Sequence, residues 1–81
     1  MMMKVLVVDD EQDTLDLLKD MLEEEGYNVV TASNGKDALY KLKHKNHFDL
    51  VTLDIMMPDM SGWDVYQKIK KTNKKVKVMF L

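Results

Sequence analysis

The sequence predicts an α/β fold in which a parallel sheet is covered by helices on both faces. Short apolar runs of strand character alternate with amphipathic stretches of helical period, from a first strand to a fourth with three helices between them. Right-handed crossovers between parallel strands place the connecting helices against the sheet. The chain has 81 residues, so we expect one small domain over residues 1–81.

The predicted strands are apolar runs rich in β-branched residues and bounded by polar or turn-forming residues. They cover residues 4–8, 28–32, 50–53 and 76–81. The second strand is followed by a Ser-Asn-Gly turn at residues 33–35, which also offers caps for the next helix. A polar connector over residues 72–75 precedes the fourth strand.

The predicted helices cover residues 13–25, 36–45 and 61–71. The first has an apolar stripe formed by Leu15, Leu18 and Leu22 and widened by Leu17 and Met21. Gly26 is expected to end it. The inward positions of the second and third helices are Ala38, Leu39 and Leu42, and Val65, Tyr66 and Ile69. We expect Trp63 to pack against the sheet with Tyr66, and His44 and His47 to be exposed rather than metal-bound.

Composition and charge exclude several classes of function. The chain has no cysteine, which excludes disulfides and thiolate metal sites, and no apolar run approaches the length of a membrane span. We therefore expect a cytoplasmic protein without membrane contact. Ten lysines lie between residues 36 and 77, but they have neither interleaved aromatic residues nor a recognised nucleic-acid-binding motif. Direct binding of nucleic acid is therefore not expected, and the lysines are interpreted as a solvated helix face.

Three aspartates follow two of the predicted strands. Asp9 and Asp10 follow the first strand, and Asp54 follows the third. If these strands are parallel neighbours, the three carboxylates meet at one edge of the sheet, where each raises the pKa of the others. A hard cation such as Mg²⁺ relieves that repulsion, and an aspartate there can serve as a phosphoryl acceptor. Taken by itself, Asp54 is interpreted equally well as a residue that ends a strand or caps a helix.

The stretch from residue 49 to residue 62 reads Asp-Leu-Val-Thr-Leu-Asp-Ile-Met-Met-Pro-Asp-Met-Ser-Gly. Pro58 disfavours helical angles at Met57, and Gly62 is expected to supply backbone freedom. These residues predict a shaped loop between Asp54 and the third helix.

The sequence resembles the receiver domain of two-component response regulators. The resemblance rests on Val-Leu-Val-Val-Asp-Asp-Glu at residues 5–11, Ala-Ser-Asn-Gly-Lys-Asp-Ala-Leu at residues 32–39 and the stretch at residues 49–62. It implies a flavodoxin-like (CheY-like) fold with strand order 2-1-3-4-5 in the complete domain. It also implies that Asp54 is the phosphoacceptor, and that Asp9, Asp10, Asp54 and the backbone carbonyl of Met56 hold Mg²⁺.

By the same resemblance, the phosphoryl donor is a sensor histidine kinase or a phosphotransfer protein. Asp54 attacks the phosphorus in a Mg²⁺-dependent reaction, in which positioning and electrostatic stabilisation supply most of the catalysis. The domain would catalyse only its own phosphorylation, so it is not expected to be an enzyme.

The sequence departs from the family pattern in one respect. A complete receiver has five βα units, and the fifth is missing from these 81 residues, together with the Ser or Thr and the Lys that contact the phosphoryl group. We therefore expect a receiver that is incomplete after the fourth strand. Its exposed strand edge at residues 76–81 is expected to form a homo-oligomer.

Two alternatives remain at this point. In the first, the chain is a self-associating or complementing assembly unit without phosphotransfer. In the second, it is a Mg²⁺-dependent aspartyl phosphatase, which fits less well because that chemistry usually has two aspartates one residue apart whereas Asp9 and Asp10 are adjacent.

Overall fold

The computed structural model describes residues 3–44, 47–57, 61–72 and 75–81. Its elements, in chain order, are β1 (Lys4–Val8), α1 (Gln12–Glu24), β2 (Asn28–Ala32), α2 (Gly35–His44), β3 (Leu50–Leu53), α3 (Gly62–Thr72) and β4 (Lys77–Phe80). The four strands form one parallel sheet in the order β2-β1-β3-β4. The predicted alternation of strands and helices is confirmed.

Alternate residues of the central strand β1 point to opposite faces of the sheet. Val5 and Val7 contact Leu15 of α1 and Val29 of β2 in one buried cluster. The second cluster lies on the other face under α2 and α3, and its fully buried members include Leu6, Val8, Ala38, Val51, Leu53, Val65 and Ile69. Burial of each of the leucine, valine and isoleucine side chains stabilises the fold by about 1.5–3 kcal/mol. Helices therefore cover both faces, as predicted.

Helix α1 ends in a Schellman motif. Gly26 has a φ of 95°, the Gly26 N–H donates to the Glu23 carbonyl at 3.0 Å, and the Tyr27 N–H donates to the Leu22 carbonyl at 3.1 Å. These bonds satisfy carbonyls that the helix end would leave unpaired, and glycine adopts this backbone conformation without strain. The prediction that Gly26 ends the helix is confirmed.

Helix α1 lies one residue earlier than the predicted 13–25, and α3 ends at Thr72, one residue later than predicted. The starts of α2 and α3 differ from the predictions because Asn34 and Ser61 are N-caps. The Asn34 side chain accepts the Asp37 N–H at 2.7 Å, so α2 begins at Gly35. The Ser61 hydroxyl accepts the Asp64 N–H at 3.2 Å, so α3 begins one residue after Ser61. Such side-chain oxygens satisfy N–H groups that the first turn of a helix leaves without a partner. The predicted end of α2 at Lys45 and part of the predicted connector lie outside the described residues.

The predicted apolar stripe of α1 is partly wrong. Leu15 is buried and Leu18 and Leu22 pack against it, but Leu17 and Met21 are 59% and 54% exposed. Because residues four apart share a helix face, Leu17 and Met21 lie together on a flank of α1, beside the buried stripe.

The prediction that the rings of Tyr66 and Trp63 pack against the sheet is confirmed for Tyr66 and only in part for Trp63. The Tyr66 ring lies 5.5 Å from that of Phe80 in β4. The Trp63 ring lies 5.4 Å from Tyr66 and 6.1 Å from Phe80, but Trp63 remains 55% exposed. Sequence reasoning missed Phe48, which is 3% exposed in the core beneath α2 and α3.

His44 and His47 are both exposed, as expected. Strand β4 covers Lys77–Phe80, so it begins one residue later and ends one residue earlier than predicted. The Val76 carbonyl, just before the strand, accepts the Lys70 ammonium at 2.6 Å. Among the described residues, no helix has both the length and the apolar character needed to cross a lipid bilayer.

Candidate metal centre and phosphoacceptor site

The candidate site lies where β1 and β3 end side by side. Val8 pairs with Leu53 in the parallel register, and the Asp54 N–H continues the ladder by donating to the Val8 carbonyl at 3.0 Å. The Asp9 N–H donates to the Ala32 carbonyl of β2 at 3.1 Å. Backbone pairing therefore holds Asp9 and Asp54 at the carboxyl edge of the sheet, as the sequence predicts.

The side chains of Asp9, Asp10 and Asp54 converge at this edge. Each offers a carboxylate oxygen, and these oxygens all lie within 4.8 Å of one another. Asp9 and Asp54 are half-buried, whereas Asp10 is exposed. An oxygen donor set of this kind, open to solvent on one side, suits Mg²⁺, which is usually held by one or two carboxylates and keeps several of its waters.

The pKa of Asp9 is raised above its ordinary value of 3.8. Burial of the carboxyl is the largest cause, and the negative charges of Asp54 and Asp10 add to it. The Glu11 N–H opposes the shift by donating to Asp9 Oδ1 at 3.0 Å. The site therefore concentrates negative charge that a bound cation would neutralise.

The backbone after Asp54 donates a hydrogen bond to the Asp54 carboxylate. The Met56 N–H donates to Asp54 Oδ1 at 3.1 Å, which holds the carboxylate by one oxygen and places the main chain of Met56 beside the site. The Met56 side chain is 81% exposed. The metal-ligating role predicted for the Met56 carbonyl stays a prediction, and Pro58 lies outside the described residues.

Gly62 packs directly on the end of β3. Its N–H donates to the Ile55 carbonyl at 3.0 Å, and a Cβ atom at this position would lie 2.5 Å from the Asp54 carbonyl oxygen. The predicted reason for this glycine is wrong, because Gly26 is the one described glycine with a positive φ. Gly62 is needed for the space beside the Asp54 backbone rather than for backbone freedom, and the sequence carries no signal that separates these two reasons.

The chain matches a known protein family and characterised relatives. The family model of the response regulator receiver domain matches residues 5–81. The chain is 39% identical over 80 residues to the response regulator SaeR of Staphylococcus aureus, a match that covers 99% of this chain and 34% of SaeR. The chain thus spans about a third of the length of the curated relatives it matches.

Solved structures resemble this chain over nearly its whole length. The response regulator TrrA of Thermotoga maritima, in complex with Mg²⁺-BeF, is 49% identical with a TM-score of 0.89, and the match covers 95% of this chain and 66% of TrrA. TrrA in complex with the histidine kinase ThkA is 47% identical with a TM-score of 0.90, covering 98% and 67%. The chemotaxis protein CheY4 of Vibrio cholerae is 32% identical with a TM-score of 0.94, covering 99% and 68%.

The fold and the family are therefore both established. The sheet order β2-β1-β3-β4 is that of the CheY-like, flavodoxin-like fold, as the sequence predicts. With the family match over residues 5–81, it follows that the chain belongs to the response regulator receiver domain family, a signalling domain of two-component systems.

Proposed function

We propose that the chain accepts a phosphoryl group on Asp54 from a phosphorylated histidine in a Mg²⁺-dependent reaction. The observation that carries this proposal is the convergence of Asp9, Asp10 and Asp54 within 4.8 Å at the ends of two neighbouring strands. The donor would be a sensor histidine kinase or a phosphotransfer protein, and the kinase-bound structure of TrrA supports this choice. The chain would catalyse only its own phosphorylation.

In this reaction an Asp54 carboxylate oxygen attacks the phosphorus of the phosphohistidine. A P–O bond forms to Asp54 while the P–N bond to the imidazole breaks, and the departing nitrogen keeps the electron pair and takes a proton from solvent. The Met56 N–H, which donates to Asp54 Oδ1 at 3.1 Å, orients the carboxylate for the attack.

Asp9, Asp10, Asp54 and the Met56 carbonyl would hold the cation. Mg²⁺ bound there supplies positive charge that stabilises the phosphoryl oxygens. Asp9 is kept in place by the Glu11 N–H at 3.0 Å, so that its carboxylate already faces Asp54. Sensor kinases form phosphohistidine from ATP, and the proposal therefore places this domain in the cytoplasm.

The test is intact-protein mass spectrometry after incubation with acetyl phosphate and Mg²⁺. We expect a gain of one phosphoryl group in the wild-type protein and none in Asp54→Asn or in the presence of a chelator. Asp64→Asn, which removes an exposed carboxylate on α3, is the matched control and should still be labelled. Labelling of Asp54→Asn, or labelling that survives the chelator, would contradict the proposal.

The assembly unit without phosphotransfer is retained as a second candidate because of the sheet edge. Strand β4 pairs with β3 on one side and forms the end of the described sheet, with Met79 50% exposed. Unpaired edges of this kind recruit a second strand. Under this alternative the wild-type protein stays unlabelled and forms a homo-oligomer that Met79→Lys dissociates, as measured by sedimentation velocity.

A further inference from the structure

A groove lies between the C-terminal halves of α2 and α3. Its volume is about 650 Å³, within the range of about 300–1,000 Å³ that is usual for small-molecule sites. Its floor is apolar and consists of Leu39, Leu42 and Ile69. Ile69 belongs to the buried core, and the two leucines pack against that core while staying half-buried. The core therefore holds the floor in place, and the floor still exposes apolar surface.

The sheet order separates this groove from the position of a fifth strand. Helix α2 contacts β2 and β1, and it also contacts α3. Helix α3 in turn contacts Phe80 of β4 through Tyr66. In the flavodoxin-like order 2-1-3-4-5 the next strand joins beyond β4, at the opposite end of the sheet from β2. The groove lies on the side of α3 that faces α2, away from that end of the sheet.

Three lysines line the rim of the groove, Lys43 of α2 and Lys68 and Lys71 of α3. All three are exposed. Both ion pairs among the described residues involve other lysines. Lys68 and Lys71 are three residues apart and therefore lie on the same face of α3. The groove thus presents uncompensated positive charge around an apolar floor.

Two other polar side chains of these helices already have partners. The Thr72 hydroxyl, which also lines the groove, shares its proton between the carbonyl oxygens of Lys68 and Ile69, each at 3.2 Å. The Lys41 ammonium donates to the Thr31 carbonyl of β2 at 2.6 Å. The rim lysines are therefore the polar groups of the groove that are available to a ligand, and they select an anion.

The length of the groove decides what kind of anion fits. Its lining runs over residues 39–43 of α2 and residues 68–72 of α3, which is about 6 Å along each helix axis at 1.5 Å per residue. A docked helix has apolar anchors up to seven residues apart, which span about 10 Å. The groove is therefore short for a helical partner and suits a compact molecule.

We propose that the α2–α3 groove binds a small amphipathic anion, in which a short alkyl or aryl body is joined to a carboxylate. The apolar body would cover Leu39, Leu42 and Ile69, and its burial supplies most of the affinity. The carboxylate would accept charge-assisted hydrogen bonds from Lys68 and Lys71. The proposal does not depend on phosphorylation of Asp54.

Octanoate is the probe that tests the proposal, in ¹H–¹⁵N chemical-shift titrations of the labelled chain at low salt. We expect the shifts to concentrate at the amides of residues 39–43 and 68–72. A groove variant with Lys68→Ala and Lys71→Ala should bind octanoate with a dissociation constant raised about fivefold or more, because two charge-assisted hydrogen bonds are lost. Both lysines are exposed, so the variant should fold normally, which circular dichroism checks.

A matched control and two further probes separate the parts of the interaction. A control variant with Lys19→Ala and Lys36→Ala loses the same charge outside the groove and should bind octanoate as the wild-type protein does. Octan-1-ol, which keeps the chain and lacks the charge, should bind several-fold more weakly than octanoate. Butanoate, which keeps the charge on a shorter chain, should bind at least tenfold more weakly, since each buried methylene contributes about fourfold in affinity.

Octanoate binding that the groove variant retains in full would overturn the proposal, and so would shifts confined to α1 or β4. Equal affinities for octanoate and octan-1-ol would show that the lysines do not bind the ligand, with the same consequence. Binding to phosphatidylglycerol vesicles without any shift by octanoate would assign the basic rim to a lipid surface instead. Labelling of Asp54 by acetyl phosphate should be unchanged in the groove variant, so a failure of the phosphoacceptor proposal is seen separately.

Discussion

Gly62 lies so close to Asp54 that no side chain fits between them. A Cβ atom at position 62 would stand 2.5 Å from the Asp54 carbonyl oxygen and 2.9 Å from the Cα atom of Ile55. Real Cβ atoms do not approach backbone to this distance, so the start of α3 sits against the residue that is proposed to accept the phosphoryl group. The first turn of α3 and the end of β3 therefore move together.

Gly62→Ala should displace the Asp54 backbone. We expect the variant to lose about 1–3 kcal/mol of its free energy of unfolding, which is typical of overpacking at a tight contact. Its rate of phosphorylation by acetyl phosphate should fall as well, measured by intact mass against time. Gly26→Ala is the matched control, because a Cβ there meets nothing within 4 Å and the cost comes from its positive φ. The Gly26→Ala control should be less stable than the wild-type protein, but the folded protein should be labelled at the wild-type rate. Labelling of Gly62→Ala at the wild-type rate would contradict a link between the Gly62 contact and the position of Asp54.

The raised pKa of Asp9 makes stability depend on pH in a definite direction. The folded state binds the Asp9 proton more tightly than the unfolded state does, so this group lowers the free energy of unfolding as pH rises from about 3.8 through its folded pKa. At neutral pH without divalent cations, Asp9→Asn should therefore be more stable than the wild-type protein. The asparagine oxygen can still accept the Glu11 N–H. Urea unfolding should show the difference shrinking as pH falls towards 3.8, and a difference that grows instead would contradict this assignment.

Mg²⁺ should stabilise the folded chain, because binding to the three aspartates removes their mutual repulsion. A cation concentration ten times the dissociation constant adds about 1.4 kcal/mol to the free energy of unfolding. For a domain of this size the thermal midpoint then rises by roughly 5–10 °C. Asp54→Asn and Asp9→Asn should each lose most of this rise in thermal melts, whereas Asp64→Asn should retain it. A rise of the same size in all four proteins would mean that Mg²⁺ binds elsewhere.

Asn34 should contribute to stability through its cap on α2. Its side chain accepts the Asp37 N–H at 2.7 Å, so Asn34→Ala should lower the free energy of unfolding by about 1 kcal/mol. Ser33→Ala changes an exposed neighbour and serves as the control in chemical denaturation. Equal effects of the two substitutions would show that the cap contributes nothing of its own.

Thr52 carries a buried hydroxyl that has no hydrogen-bond partner within the part of the chain that the structure describes. The residue is 7% exposed within β3. Thr52→Val replaces the hydroxyl with a methyl group of similar size, so it should raise the free energy of unfolding by about 1–2 kcal/mol. Thr31→Val, at a half-buried position in strand β2 of the same sheet, should change stability less. A loss of stability in Thr52→Val would mean that the hydroxyl has a partner in solution.

The order of strands and the convergence of the three aspartates could be predicted because both follow from strong local signals. Apolar runs that end in acids place Asp9, Asp10 and Asp54 at strand ends, and parallel pairing brings those ends to one edge. The exposure of Leu17 could not be predicted, because the apolar pattern of α1 does not show how wide a stripe the sheet can cover. The close approach of Gly62 to Asp54 depends on tertiary packing, which a local glycine signal does not reveal.

Trp63 follows directly on Gly62 and is the one tryptophan in the sequence. Its ring stacks on Tyr66 and Phe80 while more than half of it faces solvent. Any shift of α3 relative to the end of β3 changes that stacking and the hydration of the indole. The protein therefore carries its own fluorophore one residue away from the contact with Asp54, and its emission can be followed through titrations without an attached label.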